Sequence, residues 1–178
     1  MHRWHRRLSP RLRQPEPLLS MDYLWTPWRY SYVTREQPQE GCIFCVLPAE
    51  GQDEKNHILY RGRHNFVILN LYPYTSGHMM VAPYAHLPTL EESSSDILAE
   101  MMALTQRAEQ VLRTVYKAQG INLGMNIGEC AGAGVTGHIH MHVLPRWSGD
   151  SNFMTVVGET RVAIETVDIS YERLVGAF

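Results

Sequence analysis

Three histidines at alternate positions, His138-Ile-His140-Met-His142, stand in an apolar run that continues Val-Leu-Pro-Arg-Trp. A strand sends alternate side chains to opposite faces, so a strand here would line all three imidazoles on one side, roughly 7 Å apart. Imidazole titrates near neutrality, so such a row either holds a metal or does chemistry at neutral pH. Two histidines at this spacing often share zinc with a nearby carboxylate. Here Val143, Leu144 and Pro145 follow, so a two-metal centre has little support. An accidental core row is less plausible still, because three buried imidazoles need three sets of hydrogen-bond partners.

The preceding loop, GECAGAGVTG (128–137), is glycine-rich. Glycine lets backbone N–H groups approach an anion without interference from Cβ. Leading directly into the imidazoles, the loop suggests a seat for phosphate. Histidine can attack phosphorus and carry the group on its ring nitrogen. Upstream lies Cys42-Ile-Phe-Cys45. This pair fits metal ligands, a redox couple or two buried thiols. The redox reading lacks the neighbouring tryptophan of thioredoxin-like motifs. Cys130 reads as a small loop residue.

The elements that must position these groups follow from periodicity. His57–Tyr60 and Asn65–Leu71 read as strands joined by a turn at Arg61-Gly62-Arg63. Residues 72–77 carry turn chemistry, and His78–Ala82 resumes a strand that Pro83 ends. Residues 96–117 place apolar side chains at i, i+3, i+4 and i+7, an amphipathic helix. Ser94, Ser95 or Asp96 would cap it and Gly120 would end it. Ile121–Ile127 and His138–Leu144 read as strands, residues 153–157 and 162–166 as a final hairpin, and Ile169–Val175 as a short helix. The fold class is therefore α+β, an antiparallel sheet of about five strands with one long helix and a short C-terminal helix.

The 178 residues suit one domain. A net charge of −2 gives no reason to expect nucleic acid or a membrane surface as the partner. No apolar run approaches the roughly 18–20 residues that span a bilayer. Three cysteines do not make a disulfide framework, which indicates a reducing, cytoplasmic location. Residues 1–20 differ from the rest, with five arginines, three prolines and the single acid Glu16. They lack the apolar stretch of a secretory signal, and the prolines spoil an amphipathic transit helix, so a disordered extension is expected. Met21 is an alternative start. The domain is then 21–178, opening with an aromatic segment, 21–32, that reads as packing against the domain or a partner subunit.

His-x-His-x-His followed by two apolar residues resembles the signature of the histidine-triad (HIT) superfamily of nucleotidyl hydrolases and transferases. RHNFVILNLYPYTSGHMMVAPYAH is similar to that family's first half, and NIGECAGAGVTGHIHMHVLPRWSGDSNFM to its second. LWTPWRY, GCIFC and PRWSGDSNFM resemble the bacterial diadenosine tetraphosphate phosphorylase branch, from about Met21 to the C-terminus.

The resemblance implies a HIT-like fold and a role for each matched residue. His140 would be the nucleophile at the α-phosphorus, its second ring nitrogen tied to a carbonyl. His142 would bind phosphate oxygens and assist the leaving group, with His78 of the Gly-His pair supporting the row. Asn70 would meet the ribose, Ile68 and Met80 the base, and Asn126 and Gly134 of the glycine loop the phosphates. Trp147 would either lie against a second nucleoside or simply pack. Cys42, Cys45, His86 and His138 would form a closed structural zinc site. Magnesium would enter only with the substrate phosphates.

The implied reaction takes diadenosine tetraphosphate and inorganic phosphate to ATP and ADP. With water as acceptor the protein would be a hydrolase. A nucleoside phosphoramidate hydrolase and a zinc-stabilised nucleotide-binding adaptor remain alternatives, the intact triad favouring turnover. A homodimer paired through the long helix is implied too. The resemblance departs at Gly137, where the phosphorylase branch usually carries an acid.

Overall fold

The computed structural model describes residues 41–150 and 165–178. The readings for 1–20, for 21–32, and for the 153–157 and 162–164 parts of the final hairpin lie outside the described residues. Among the described residues, three α-helices, α1 (Ile43–Ala49), α2 (Ser95–Val115) and α3 (Val167–Leu174), accompany five strands. These are β1 (Ile58–Arg61), β2 (Asn65–Leu69), β3 (Met79–Pro83), β4 (Gly120–Gly124) and β5 (Met141–Arg146). They form one sheet in the order β1-β2-β3-β5-β4, every neighbouring pair antiparallel. This is the α+β architecture read from the sequence.

β2 and β3 are buried along their whole length, so both faces of the sheet are covered there. Strand parity divides their side chains between two cores. Val67, Leu69, Met79, Val81 and Val143 join Met101, Leu104, Ala108, Val111 and Leu112 of α2. Phe66, Ile68, Met80 and Ala82 turn the other way and meet Phe44 of α1.

The long helix starts where Ser94 accepts the Ile97 N–H at 3.4 Å, with Asp96 in the first turn favouring the positive end of the helix dipole. Its end differs from expectation. Tyr116 is the C-cap, and Lys117 takes the left-handed conformation (φ +54°), letting the Ala118 N–H return to Leu112 O. The reversal is complete before Gly120, which instead opens β4 opposite Arg146. Glu100 of α2 ties the β1–β2 turn to the helix. Its carboxylate accepts the N–H groups of Arg63, His64 and Asn65 at 2.6–2.8 Å and the Asn65 side-chain amide at 2.9 Å.

Several other boundaries move. β2 ends at Leu69 rather than Leu71, β4 ends at Gly124 rather than Ile127, and α3 runs two residues earlier at its start than expected. Thr166 is the N-cap of α3, accepting the Ile169 N–H, rather than a strand residue. No element was expected over α1. It is under two turns long and contains Pro48, too short for apolar periodicity to register. Among the described residues no helix is long and apolar enough to cross a membrane.

Candidate functional site

The histidine row is not one strand. Only His142 lies in β5, which begins at Met141. Met141 pairs with Val81 of β3, so a longer ladder would set Ile139 opposite Pro83, which has no N–H to give. The chain leaves the ladder there, and the Ile139 N–H donates to Leu87 O at 2.8 Å. His138 and His140 therefore sit on the segment leading into β5. The rings of His140 and His142 touch edge to face with centroids 4.8 Å apart, while His138 turns towards the cysteines.

Register builds a line across the sheet. Ile58 faces Ile68, Ile68 faces Met80, Met80 faces His142, and His142 faces Gly124. Directly opposed residues share a face. Ile68 and Met80 thus form an apolar floor beside His142, on the side of the sheet that carries α1. α1 supplies residues to which the sequence analysis gave no role. Phe44 packs with Ile68 and Met80, and Ile43 and Leu47 border the same cluster. The Phe44 ring lies 4.7 Å from that of His140 and 5.3 Å from that of His138.

Backbone partners that can play only one role fix the tautomers of the four central imidazoles. Pro83 O can only accept, so His138 carries its proton on Nε2 (2.8 Å) and leaves Nδ1 bare. His138 O likewise takes the His140 Nδ1–H at 2.9 Å and leaves Nε2 of His140 as a free lone pair. The Tyr74 N–H can only donate, to His78 Nδ1 at 3.2 Å, so His78 carries its proton on Nε2. That proton goes to His142 Nδ1 at 2.9 Å, and His142 in turn holds a proton on Nε2. The pair next to each other in space is therefore one bare nitrogen and one N–H donor.

Burial keeps these rings neutral. Desolvation first, then the neighbouring His142 and His140 rings, hold His78 down to about 3. Desolvation, then His140, holds His142 down to about 4. His140 and His138 are also pushed below the ordinary imidazole range by burial, against hydrogen bonds to His138 O and Pro83 O that pull the other way. At neutral pH the lone pair on His140 is available.

Gly77 explains how His78 reaches its place. It adopts φ +74°, and a Cβ there would come within 3.1 Å of the Tyr116 ring and 3.2 Å of Leu112. Only glycine lets the turn press against the end of α2. Asn70 closes the same turn. Its Oδ1 accepts the Tyr72 N–H at 2.9 Å and its amide faces His78 Nδ1 at 3.3 Å.

Cys42, Cys45, His86 and His138 converge from α1, the segment after β3, and the histidine segment. One ligand atom from each lies within 4.8 Å of the others. Nδ1 of His138 is 3.3 and 3.6 Å from the two sulfurs, and Nδ1 of His86 is 3.4 Å from Cys45 Sγ. Tetrahedral zinc with bonds of about 2.0–2.3 Å needs ligand separations of about 3.3–3.8 Å. The bare Nδ1 of His138 is the nitrogen such a site requires, and its Nε2–H bond to Pro83 O is the customary outer partner. The donor set fits zinc. Gly137 is constrained by it, since a Cβ would lie 3.2 Å from His86 Nε2.

The remaining sequence-derived positions are more peripheral. Asn126 donates to Gly132 O at 3.4 Å within the glycine loop, and Gly134 is exposed there. Trp147 is half-buried and gives its indole N–H to Tyr116 O at 3.1 Å, stacking edge-on against the Tyr116 ring. The turn beneath it is locked by Arg146, which grips Asp150 through two nitrogens at 2.6 and 2.8 Å and Asn122 at 2.8 Å.

Residues 52–149 match the HIT domain family. The chain belongs to this family. AP-4-A phosphorylase of Mycobacterium tuberculosis is 38% identical to it over 146 residues, 78% of this chain and 75% of that protein. The asymmetrical bis(5'-nucleosyl)-tetraphosphatase of Schizosaccharomyces pombe is 30% identical over 95 residues, 53% of this chain and 52% of that one. Among solved HIT structures, a zinc-bound histidine triad family protein from Mycobacterium smegmatis superposes with a TM-score of 0.64 at 30% identity. It covers 77% of this chain and 92% of its own. By this kinship the protein is a HIT-type enzyme.

Proposed function

We propose that this protein cleaves dinucleoside polyphosphates by transferring a nucleotidyl group through His140, with diadenosine tetraphosphate and inorganic phosphate giving ATP and ADP. The observation that carries this is the pairing of a bare His140 Nε2 with a proton-bearing His142 Nε2 beside an apolar floor. His140 Nε2 attacks the α-phosphorus. An N–P bond forms, the bridging P–O bond breaks, and ATP leaves with its oxygen accepting a hydrogen bond from His142. Phosphate oxygen then attacks the same phosphorus, releasing ADP and restoring the lone pair. Ile68, Met80 and Phe44 form the apolar side of the base pocket, and Asn70 meets the ribose. The glycine loop with Asn126 and Gly134 lies along the phosphates. Trp147 orders the turn after β5 and thereby the rim on the side of the second nucleoside.

Cys42, Cys45, His86 and His138 would hold a structural zinc, a closed set that supplies rigidity and no open coordination position. Among the described residues this is the one cluster of three or more such ligands, so magnesium would enter with the substrate phosphates rather than on the protein. A reducing, cytoplasmic setting keeps both thiols available. A second copy of the chain would pair through the long helix α2, where Met102 is exposed.

The test is product analysis on diadenosine tetraphosphate with and without inorganic phosphate, on the wild type and His140→Ala. ATP plus ADP formed only with phosphate, and by the wild type alone, supports the phosphorylase reading. ATP plus AMP regardless of phosphate makes it a hydrolase. No turnover by the wild type overturns both, and leaves a phosphoramidate hydrolase or a nucleotide-binding adaptor.

A further inference from the structure

α1 is secured differently at its two ends. At the C-terminal end, Leu47 O accepts from the Asn56 amide at 3.0 Å, and Pro48 O from Arg61 at 2.8 Å. Arg61 is itself held by Asp53. Among the described residues, the N-terminal end has no such support. Cys42 is the N-cap and makes no side-chain cap hydrogen bond. Among the described residues, what fixes this end is the approach of Cys42 and Cys45 to the two histidines and the burial of Phe44, 1% exposed.

Phe44 lies between the two cysteines in sequence and packs against two histidine rings in space. One of those rings belongs to His138, the other to His140. Among the described residues, the His140 ring has three constraints: His138 O on Nδ1, the Phe44 ring against it and His142 edge-on. Two of the three depend on residues of the metal set or on the helix that this set anchors.

We infer that Phe44 and His138 are positioning residues that couple metal occupancy to the orientation of His140, so that the ring keeps one tautomer and one direction only while the Cys₂His₂ set is closed. This rests on the reading of His140 as the reacting residue. The reasoning is mechanical. Opening the set frees the N-terminal end of α1 and the His138 ring together. Phe44 then loses its fixed seat, and the carbonyl that orients His140 moves with its own residue. A displacement of about 1 Å at a reacting atom is enough for a loss of about 10²-fold. Rigid outer support of this kind is how a reacting group is kept in geometry.

The experiment compares zinc-loaded wild type, Phe44→Leu and Phe66→Leu, and chelator-treated wild type. Phe66 is a control for packing, because it is fully buried in the same cluster but stacks on Tyr84 and, among the described residues, meets no histidine ring. The principal readout is the ¹⁵N–¹H spectrum of the histidine rings, which reports tautomers without substrate. Zinc content, circular dichroism and single-turnover cleavage accompany it.

Phe44→Leu is expected to retain one zinc per chain and its fold, yet show averaged His140 tautomers. Its single-turnover rate should fall 10- to 100-fold, with KM within about threefold. Phe66→Leu should lose stability while His140 keeps a single tautomer. Chelation of the wild type should give the averaged spectrum, and added zinc should restore it. A folded Phe44→Leu protein with the wild-type His140 spectrum overturns the inference, as does a folded metal-free protein with that spectrum. If chelation unfolds the chain, Phe44→Leu decides alone. Because the spectrum needs no substrate, failure to cleave diadenosine tetraphosphate refutes the proposed reaction without settling this coupling.

Discussion

His78 offers a sharp test of how the row is organised, because its two nitrogens do different things. Nδ1 receives the Tyr74 N–H, and Nε2 gives its proton to His142. In His78→Leu the acceptor on His142 loses its partner in a largely buried place, and nothing dictates which nitrogen of His142 carries the proton. Leaving one such group unsatisfied costs about 1–3 kcal/mol. If that cost falls on the transition state, where His142 must present its N–H, each 1.4 kcal/mol is tenfold in rate. The expected result is a kcat lowered about 10- to 100-fold with KM little changed. His78→Gln is the diagnostic partner. Its amide N–H can occupy the place of the imidazole Nε2–H and its oxygen can accept from Tyr74, so it should recover much of the loss. Steady-state kinetics on diadenosine tetraphosphate, with folding verified by circular dichroism, measures both. A folded His78→Leu enzyme within twofold of wild type, or a Gln variant no better than Leu, would show that the tautomer of His142 is not what His78 controls.

Acid should destabilise the fold through the same residue. The unfolded chain protonates His78 below about 6.5, whereas the folded chain holds it neutral down to about 3, so the unfolded state binds the extra proton between these values. Stability attributable to His78 is intact above pH 6.5 and falls by about 1.4 kcal/mol per pH unit below it, or about 2 kcal/mol at pH 5. His142, more open to solvent, adds a smaller screened part. Thermal melts at pH 7.5, 6 and 5 should show a shallower decline for His78→Gln than for wild type, and parallel declines would refute the assignment. Glu100→Ala should cost about 2–3 kcal/mol, because three backbone N–H groups lose a charged acceptor, lowering Tm by roughly 5–10 °C, while Glu100→Gln should cost less. Burial raises the Glu100 pKa, but hydrogen bonds from the Asn65 side chain and the turn outweigh it, and the net shift is downward. The Glu100 contribution should accordingly persist at neutral pH and disappear as pH falls through the depressed pKa. A variant equal to wild type at pH 7 would rule out this tie between α2 and the turn.

Much of the scaffold was legible because periodicity reports burial. β2 and β3 read as strands from their apolar runs, and α2 from a repeat that Met101, Leu104, Ala108, Val111 and Leu112 satisfy by facing the sheet. The four side chains of the candidate metal site were named from their resemblance to a family pattern, and the fold brings all four together. The misses have physical causes. α1 is too short to show a period, so Phe44 was given no role. The end of α2 was assigned to the nearest glycine, but Lys117 adopts the left-handed turn. The strand containing the histidines was started three residues early, because alternation in sequence says nothing about a ladder stopped by Pro83 on the neighbouring strand.

That last error bears on function. Had β5 run from His138, three equivalent imidazoles would project in parallel, and nothing would distinguish the middle one. The break at Met141 turns His138 towards the sulfurs and leaves its carbonyl to accept the Nδ1–H of His140. The three residues then acquire different chemistry from backbone atoms: Pro83 O, His138 O and the Tyr74 N–H acting through His78. The residue types are written in the sequence. Their division of labour is set by backbone atoms, whose placement depends on where a ladder ends and how tightly Gly77 lets a turn close. It follows that substitutions which move these atoms, without touching a histidine, should disturb the row as effectively as replacing one of its members.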